Sequence, residues 1–367
     1  MIKKLGIPKE VKQDEGRIAL IPEHITQFTG LADIFVETQA GLGSGFTDKD
    51  YEDAGAKIIH SAKELYEISE IICKVKEPQP QELELLNSSH VLFAYLHLSS
   101  NISLTKALLN KKLTGIATEM IMDGKEYPLL IPMSRIAGNL AIQKGMQFLE
   151  YSSQGKGVLL SAISGEKNSK VTIIGCGEVG RASIHQSIQI GASVTAIDVN
   201  ENTLEDLKNK YGENISTIIS GTDEAVHAIR SADLVIGAVL LPGRKPPVVI
   251  TEEDINAMEK GTVIVDVAID QGGCVEGVTP NTHSDPFEIR NGVIVSAIAN
   301  LPGAVPRTSS IELSTNLQKY VDNLLIENWF DKYKNNESLR PSLQIHNGLL
   351  LSEEVADSLS LTLSKLV

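Results

Sequence analysis

Three glycines and one aspartate in residues 171–198 have the types and the spacing that a dinucleotide-binding turn requires. Gly175, Gly177 and Gly180 follow a short apolar run, and a helix-like segment leads from them to a second apolar run that ends at Asp198. This order of strand, glycine turn, helix, strand and acid is typical of a βαβ unit that binds a dinucleotide. Glycine turns also occur for packing alone, so the prediction depends on the elements that accompany this one.

Each glycine has a separate predicted task. Gly175 makes the tight turn, Gly177 lets the backbone approach a pyrophosphate, and Gly180 lets the helix pack closely on the strand. The phosphates are expected at the helix N-terminus, where unpaired N–H groups and the helix dipole favour an anion. Asp198 stands 18 residues after Gly180, and residues 199–203 contain no base for a 2′-phosphate. The sequence therefore favours NAD over NADP, with Asp198 on the ribose hydroxyls.

Two lysines and a histidine stand at the ends of predicted strands. Lys74 and Lys76 alternate with apolar residues and so share one face at the end of their strand. Ligands of β/α sheets bind at the carboxyl ends of strands, which makes Lys76 a candidate cation for an anionic substrate. A solvated edge lysine is the alternative, above all for Lys74. His97 ends the next predicted strand, 90–98, either as a hydrogen-bonded core residue or as an acid–base group.

Three further polar residues lie beside glycines or strand ends. Arg17 lies between a glycine and an apolar triplet, where it is either a solvated loop residue or a second substrate cation. Asp270 follows the apolar strand that begins near Thr262, and Gly272 and Gly273 follow it after Gln271. Its carboxylate is expected near the cofactor ring, with a helix cap or turn former as the alternative. Asn300 follows the sixth predicted strand in the same way.

These residues require a framework of alternating strands and helices. Six strand candidates, at 171–174, 193–197, 215–219, 233–240, 262–268 and 292–298, alternate with helical patterns and predict a doubly wound parallel sheet. The first 120 or so residues read as a separate β/α unit. A long helical pattern at 133–151 connects the two parts. Residues 309–367 read as helical, with the turn 346–348 separating two helical segments.

Composition limits the class of protein. A chain of 367 residues exceeds one ordinary core, so two domains are expected. The formal net charge of −14 argues against nucleic acid or an anionic membrane as the main partner, because both reward clustered Lys and Arg. No uninterrupted apolar span approaches the roughly 20 residues of a membrane helix, and no leader-like start is present, so a cytoplasmic protein without membrane contact is expected.

The three cysteines and eight histidines are scattered and form no metal-ligand spacing, so no metal is predicted. Reduced thiols are expected for the same reason. Cys176 lies between two glycines of the phosphate turn, and its alkylation is expected to obstruct NAD binding.

Several strings in order resemble the alanine dehydrogenase family, which shares its fold with the NAD-binding subunit of proton-translocating transhydrogenase. The resemblance runs almost end to end and is far more specific than the glycine turn. It rests on IPKE at 7–10, EGRIAL at 15–20, AGLGSGF at 40–46, KVKEP at 74–78, YLHL at 95–98, PMS at 132–134, the glycine turn, ADLVIGAVL at 232–240, VAIDQGG at 267–273 and ANLPGAVPRTS at 299–309.

The resemblance implies roles for individual residues. Arg17 and Lys76 would bind the substrate, His97 and Asp270 would be the acid–base groups, and Asn300 would orient the substrate. The positions that match cofactor contacts are Ser134, Gly175, Gly177, Glu178, Val179, Gly180, Asp198, Ser220, Val239, Leu240, Val267, Ala268, Ile269 and Leu301. The sequence departs from the family pattern at Arg135, Asn139, Thr203 and Leu301.

The implied activity is reversible NAD-dependent oxidative deamination of L-alanine to pyruvate and ammonia. Two alternatives stay open, an NAD(H)-binding domain of a transhydrogenase and an amino-acid dehydrogenase for a different small amino acid. The resemblance also implies a homo-hexamer. It implies a substrate domain built from both chain ends, 1–128 and 305–367, and an NAD-binding Rossmann domain at 129–304.

Overall fold

The computed structural model describes residues 3–161, 163, 169–239 and 246–365. The chain forms two compact units. Residues 1–133 and 305–367 form the split unit, and residues 134–304 form the central unit. The first division lies five residues beyond the predicted position, within a long helix whose bounds are given below.

Each unit contains its own sheet. The described strands, in chain order, are β1 (Lys3–Ile7), β2 (Ala32–Glu37), β3 (Lys57–Ile59), β4 (Ile71–Cys73), β5 (Val91–Ala94), β6 (Thr114–Ala117), β7 (Lys170–Ile174), β8 (Ser193–Asp198), β9 (Ile215–Ile219), β10 (Leu234–Gly237), β11 (Val263–Asp266), β12 (Glu288–Arg290), β13 (Val293–Ser296), β14 (Leu343–His346) and β15 (Leu349–Leu350).

Helices connect most of these strands. The described α-helices are α1 (Pro22–Ile25), α2 (Asp48–Asp53), α3 (Ala62–Ile68), α4 (Pro80–Leu83), α5 (Ile102–Lys111), α6 (Leu130–Phe148), α7 (Glu178–Gln189), α8 (Glu201–Tyr211), α9 (Asp223–Arg230), α10 (Glu252–Ala257), α11 (Pro306–Leu325), α12 (Trp329–Asn335) and α13 (Glu353–Leu359). No helix in the described part of the chain is long and apolar enough to cross a membrane.

The central-unit sheet has the order β12-β13-β11-β10-β7-β8-β9, and only β12 is antiparallel. The chain moves outward from β7 to β9 on one side and from β10 to β13 on the other. Its switch point therefore lies between β7 and β10, where doubly wound sheets bind their ligands. The predicted α/β class and the Rossmann-type doubly wound sheet are confirmed.

The split-unit sheet repeats this winding. Its order is β15-β14-β6-β5-β4-β1-β2-β3, with parallel pairing from β3 to β6 and antiparallel pairing at β14 and β15. The switch point lies between β1 and β4. Strands β4, β5 and β6 are buried along their whole length, as expected for parallel strands whose faces are covered.

The structure corrects several details of the sequence interpretation. The predicted strand 90–98 ends at Ala94, and the long helix spans Leu130–Phe148 instead of 133–151. Strands β3 and β12 were not predicted. Residues 343–350 are not the end and start of helices but a hairpin, β14 and β15, whose turn residues Asn347 and Gly348 both have positive φ. A two-residue turn of that kind matches the twist of paired strands.

Candidate active site

Three predicted site residues lie beyond the carboxyl ends of neighbouring strands in the split unit. Arg17 follows β1, Lys76 follows β4 and His97 follows β5. Tyr95 connects the segments of Lys76 and His97, because its backbone N–H donates to the Val75 carbonyl at 3.0 Å. Burial raises the pKa of the Tyr95 phenol, and the nearby Arg17 charge acts in the opposite direction. The structure therefore brings the three residues to one edge of one sheet.

Arg17 is buried, with 3% of its surface exposed, which rules out the solvated-loop alternative. Its Nε and Nη2 donate to the two oxygens of Glu15 at 2.8 and 2.5 Å. Its Nη1 lies 3.4 Å from the Met133 sulfur. Burial opposes the charge, but the Glu15 carboxylate outweighs burial, so the pKa of Arg17 lies above its ordinary value. This fork-to-fork pair fixes the plane of the guanidinium.

Lys74 is also buried, contrary to the solvated-edge alternative. Its Nζ donates to Glu82 Oε1 at 2.5 Å and to Glu10 Oε2 at 3.2 Å. Burial alone would lower the pKa of Lys74, but the two carboxylates raise it above its ordinary value. Glu82 Oε1 accepts a second hydrogen bond, from the Tyr66 hydroxyl, at 3.0 Å. Lys74 is therefore part of a buried ion network, and Lys76, with 6% exposed, follows it on the same segment.

His97 adopts a left-handed backbone conformation, with φ 45° and ψ 42°. Such a conformation costs a non-glycine residue about 1–3 kcal/mol and persists only where neighbours enforce it. Glu119, itself buried, enforces it here, because its Oε1 accepts the His97 backbone N–H at 2.7 Å. The His97 ring is stacked on that of Tyr95 at 6.0 Å, and its Nδ1 lies 3.8 Å from Glu119 Oε1. About a third of the His97 side chain is exposed, which suits an acid–base group better than a core histidine.

In the central unit, the three turn glycines have distinct surroundings. Gly175 has φ +91°, and a Cβ there would lie 2.6 Å from the Ala238 carbonyl oxygen. A Cβ on Gly180 would lie 1.9 Å from the Gly175 carbonyl oxygen, so only glycine lets α7 pack this closely. A Cβ on Gly177 would meet nothing within 4 Å. Open space at Gly177, directly before the N-terminus of α7, fits a cradle for a phosphate group.

Helix α6 packs against the start of α7. A Cβ on Gly138 would lie 2.3 Å from the Val179 carbonyl oxygen. Ser134 lies one turn before Gly138 on α6. Arg135, one of the departures from the family pattern, donates from Nε to Glu178 Oε2 at 2.8 Å.

Asp198 ends β8 beside the same turn. Its Oδ2 accepts the Cys176 backbone N–H at 2.6 Å, and its Oδ1 accepts that of Asn200 at 2.9 Å. The backbone N–H of Ser220 donates to the Asp198 carbonyl at 2.9 Å. Val239 follows β10 across the switch point, and a Cβ on Gly175 would lie 3.0 Å from its nitrogen. A fixed carboxylate therefore stands where the adenosine ribose of a dinucleotide is expected.

The Cys176 thiol is buried beside the Asp198 carboxylate. It is 1% exposed, and burial, followed by the Asp198 charge, raises its pKa to about 12. Because the thiolate is the nucleophile, alkylation of Cys176 is expected to be slow in the folded protein.

Asp270 and Asn300 lie together at the other strand ends of the central sheet. Asp270 is on the 3-10 helix Val267–Gln271, which begins after β11, and its Oδ1 accepts the Asn300 backbone N–H at 3.2 Å. Asp270 is exposed, whereas Asn300 is 8% exposed and left-handed, with φ 59°. The buried Asp266 caps this helix through the Ala268 N–H at 2.9 Å.

The remaining predicted cofactor residues in the described part of the chain lie near these two. Ala268 and Ile269 are buried on the same 3-10 helix, and Leu301 is buried directly after Asn300. Leu240 lies outside the described residues. Within the residues that are described, no cluster of three His, Cys, Asp or Glu side chains could hold a metal ion.

Sequence reasoning missed three buried carboxylates beside the predicted residues. Glu15 holds Arg17, Glu119 holds His97, and Glu10 accepts the backbone N–H groups of Val75 and Lys76 at 2.6 and 3.4 Å. Glu10 and Glu15 lie in strings that carry the family resemblance, and that was the only available signal for them. Glu119 lies within the segment 115–120, whose pattern predicts a strand, and nothing in the sequence singled it out.

Comparisons with known proteins agree with this geometry. Residues 6–137 match the family described as alanine dehydrogenase/PNT, N-terminal domain, and residues 141–353 match alanine dehydrogenase/PNT, C-terminal domain. The alanine dehydrogenase of Bacillus subtilis (strain 168) is 44% identical over 97% of this chain and 94% of its own length.

Two solved structures extend the likeness to the fold. An L-alanine dehydrogenase superposes with a TM-score of 0.91 at 38% identity, covering 97% of this chain and 99% of that one. A transhydrogenase from Sinorhizobium meliloti superposes with a TM-score of 0.80 at 25% identity, covering 95% and 99%. The chain therefore belongs to the alanine dehydrogenase/PNT family of oxidoreductases.

Proposed function

We propose that this chain catalyses the reversible NAD-dependent oxidative deamination of L-alanine, in which L-alanine, NAD⁺ and water give pyruvate, NH₄⁺, NADH and a proton. The observation that carries the proposal is the grouping of Arg17, Lys76 and His97 at one sheet edge, each beside a buried carboxylate. Two buried cations would donate charge-assisted hydrogen bonds to a small carboxylate, which a protein of net charge −14 would not otherwise attract.

The central unit is the proposed cofactor domain and the split unit the proposed substrate domain. The open space at Gly177 and the N-terminus of α7 would hold the pyrophosphate of NAD. The Asp198 carboxylate would accept hydrogen bonds from the ribose hydroxyls and would repel the negative charge of a 2′-phosphate, which favours NAD over NADP. When bound, NAD supplies the acceptor for the hydride that leaves the substrate Cα.

The proposed roles follow from the chemistry of each side chain. Arg17, whose plane is fixed by Glu15, binds the substrate carboxylate, and Lys76 binds the carbonyl or amine region. His97 takes the proton that the amine must lose and returns it in the reverse direction, because imidazole titrates nearest to neutral pH. Asp270 activates the water that adds to the imine or stabilises the iminium charge, and Asn300 orients the substrate.

The test is an assay of the isolated protein in both directions. NADH oxidation that requires both pyruvate and ammonia, and NADH formation from L-alanine and NAD⁺, would support the proposal. NADH formation from a panel that includes serine, glycine and lysine distinguishes L-alanine from a different amino acid as the substrate. Hydride exchange between nucleotides without dependence on ammonia would favour the transhydrogenase alternative.

We propose further that the chain forms a homo-hexamer, as the family resemblance implies, and that it acts in the cytoplasm. Light scattering coupled to size exclusion measures the assembly directly. A molar mass other than six times that of the chain would contradict the first part, and fractionation of the native cell tests the second.

A further inference from the structure

Beyond the ends of the central strands of the split-unit sheet, two buried carboxylates accept backbone N–H groups that a neighbouring strand would otherwise pair. Strands β4 and β5 stop at Cys73 and Ala94, and their extensions stay paired through the Tyr95 N–H and the Val75 carbonyl at 3.0 Å. On the outer sides of this pair, side chains take the place of neighbouring strands. Glu10, which comes after β1, accepts N–H groups of the β4 extension.

Glu119, which comes after β6, does the same for the β5 extension. Its Oε1 accepts the His97 N–H at 2.7 Å, and both of its oxygens lie within 3.2 Å of the Leu96 nitrogen. The sheet order β6-β5-β4-β1 therefore places one carboxylate on each side of the two segments that bear Lys76 and His97.

The burial of these two carboxylates has to be compensated. Glu10 and Glu119 are 8% and 6% exposed, and burying an ionised carboxylate is costly unless it is paired and hydrogen-bonded. The Lys74 network compensates Glu10, and Glu82, which binds Lys74, also caps α4 through the Gln79 N–H at 2.8 Å. Glu10 is therefore held rigidly, as a group that sets the position of another must be.

A third carboxylate of the same sheet provides a matched control. Asp48 accepts the Gln39 N–H at 2.7 Å and the Thr38 hydroxyl at 2.6 Å, just beyond the end of β2. Gln39, like His97, is left-handed, with φ 63°. Asp48 thus accepts the backbone N–H of a left-handed residue at a strand end, as Glu119 does, but it is only half-buried and no proposed site residue stands there.

We propose that Glu10 and Glu119 are positioning residues for the reaction, Glu10 for the substrate-binding Lys76 and Glu119 for the proton-transferring His97. This inference rests on the proposed function. It predicts that the two carboxylates affect different kinetic constants, because one holds a binding group and the other an acid–base group.

Steady-state kinetics of pyruvate amination test this division. Glu10→Ala should raise the KM for pyruvate about 10-fold or more with a smaller change in kcat, and Glu119→Ala should lower kcat about 10- to 100-fold with KM within about threefold of wild type. The KM for NADH should not change in either variant. Asp48→Ala should match wild type within about twofold in all three constants. Glu119→Gln should recover most of the loss, because its amide oxygen still accepts the His97 N–H.

Amide hydrogen exchange of the complete protein provides a readout that does not depend on activity. Glu119→Ala should remove protection in peptides covering 95–98, Glu10→Ala in those covering 74–78, and Asp48→Ala in neither. Equal kinetic effects of all three alanine variants, or a Glu119→Gln variant as impaired as Glu119→Ala, would overturn the inference, as would unchanged exchange. A wild-type protein that fails to turn over pyruvate and ammonia would instead overturn the proposed function, while the exchange data still decide whether the carboxylates hold these segments.

Discussion

His97 shows what a single residue needs before it can act as an acid–base group. Its position at a strand end was predictable from the sequence. Its left-handed backbone was not, because the group that enforces it, Glu119, is 22 residues away along the chain. The burial of Lys74 was equally unpredictable, because the Glu10 carboxylate with which it pairs is 64 residues away along the chain. Pairing at that separation depends on strand order, which no local pattern contains.

At this scale we expect Lys76→Ala and His97→Ala each to abolish most turnover and to leave NADH binding nearly intact. Loss of one charged hydrogen bond costs roughly 1.5–3 kcal/mol, about one to two decades in rate, and loss of the acid–base group costs typically 10²–10⁴-fold. Stopped-flow kinetics and fluorescence titration of NADH measure the two quantities. Wild-type turnover in either variant would remove that residue from the site.

Because His90 is buried, we expect the free energy of unfolding to depend on pH. His90 is 2% exposed, its Nδ1 accepts the Asn87 N–H at 3.1 Å, and its Nε2 donates to the Tyr66 carbonyl at 2.8 Å, so the ring is neutral. Burial lowers the pKa of His90, and the bond to Tyr66 opposes this only in part. The unfolded chain therefore binds a proton at His90 more tightly than the folded chain does. The contribution of neutral His90 to the free energy of unfolding is complete above about pH 6.5 and is lost as pH falls through the lowered pKa.

Urea unfolding at constant protein concentration between pH 5 and 7.5 measures this effect. The free energy of unfolding should fall toward pH 5, with at most about 1.4 kcal/mol per pH unit arising from one residue. His90→Gln should flatten the profile, and His185→Gln, at an exposed position, should not. An identical slope in His90→Gln and wild type would contradict the assignment.

Among the elements, the long and strongly patterned ones were predictable and the short ones were not. The β7–α7–β8 unit follows directly from its glycines and apolar runs. Strands β3 and β12 have three residues each, too few to show a period. The β14–β15 hairpin was taken for helix ends, because four apolar residues around Asn347 and Gly348 fit either pattern.

The phosphate turn gives a prediction at the scale of an element. Gly177→Ala should change the free energy of unfolding by less than about 1 kcal/mol, because its Cβ enters open space, and should raise the Kd for NADH at least about tenfold by keeping the pyrophosphate from the backbone. Gly180→Ala should instead destabilise the fold by about 1–3 kcal/mol, because its Cβ would overlap the Gly175 carbonyl oxygen. Denaturant unfolding and NADH titration distinguish the two variants, and the reverse pattern would show that the glycine roles are exchanged.

For the whole molecule, one winding pattern is used twice. In both units the strand order opens a switch point, at β1 and β4 in one and at β7 and β10 in the other. Arg17 and Lys76 follow the two strands of the first switch point, and the glycine turn lies at the second. The contribution of residues 305–367 to the split unit could not be predicted from periodicity. It depends on buried serines of α11, such as Ser310 and Ser314, which accept the backbone N–H groups of Ile18 and Ile21.

The most direct measurement is NADH oxidation by the purified protein in the presence of pyruvate, with and without ammonia. We expect turnover only when both are present, a strong preference for NADH over NADPH, and NADH formation in the reverse direction from L-alanine. Two results would contradict the proposed activity. One is NADH oxidation that does not depend on ammonia, and the other is no NADH oxidation with pyruvate at any ammonia concentration.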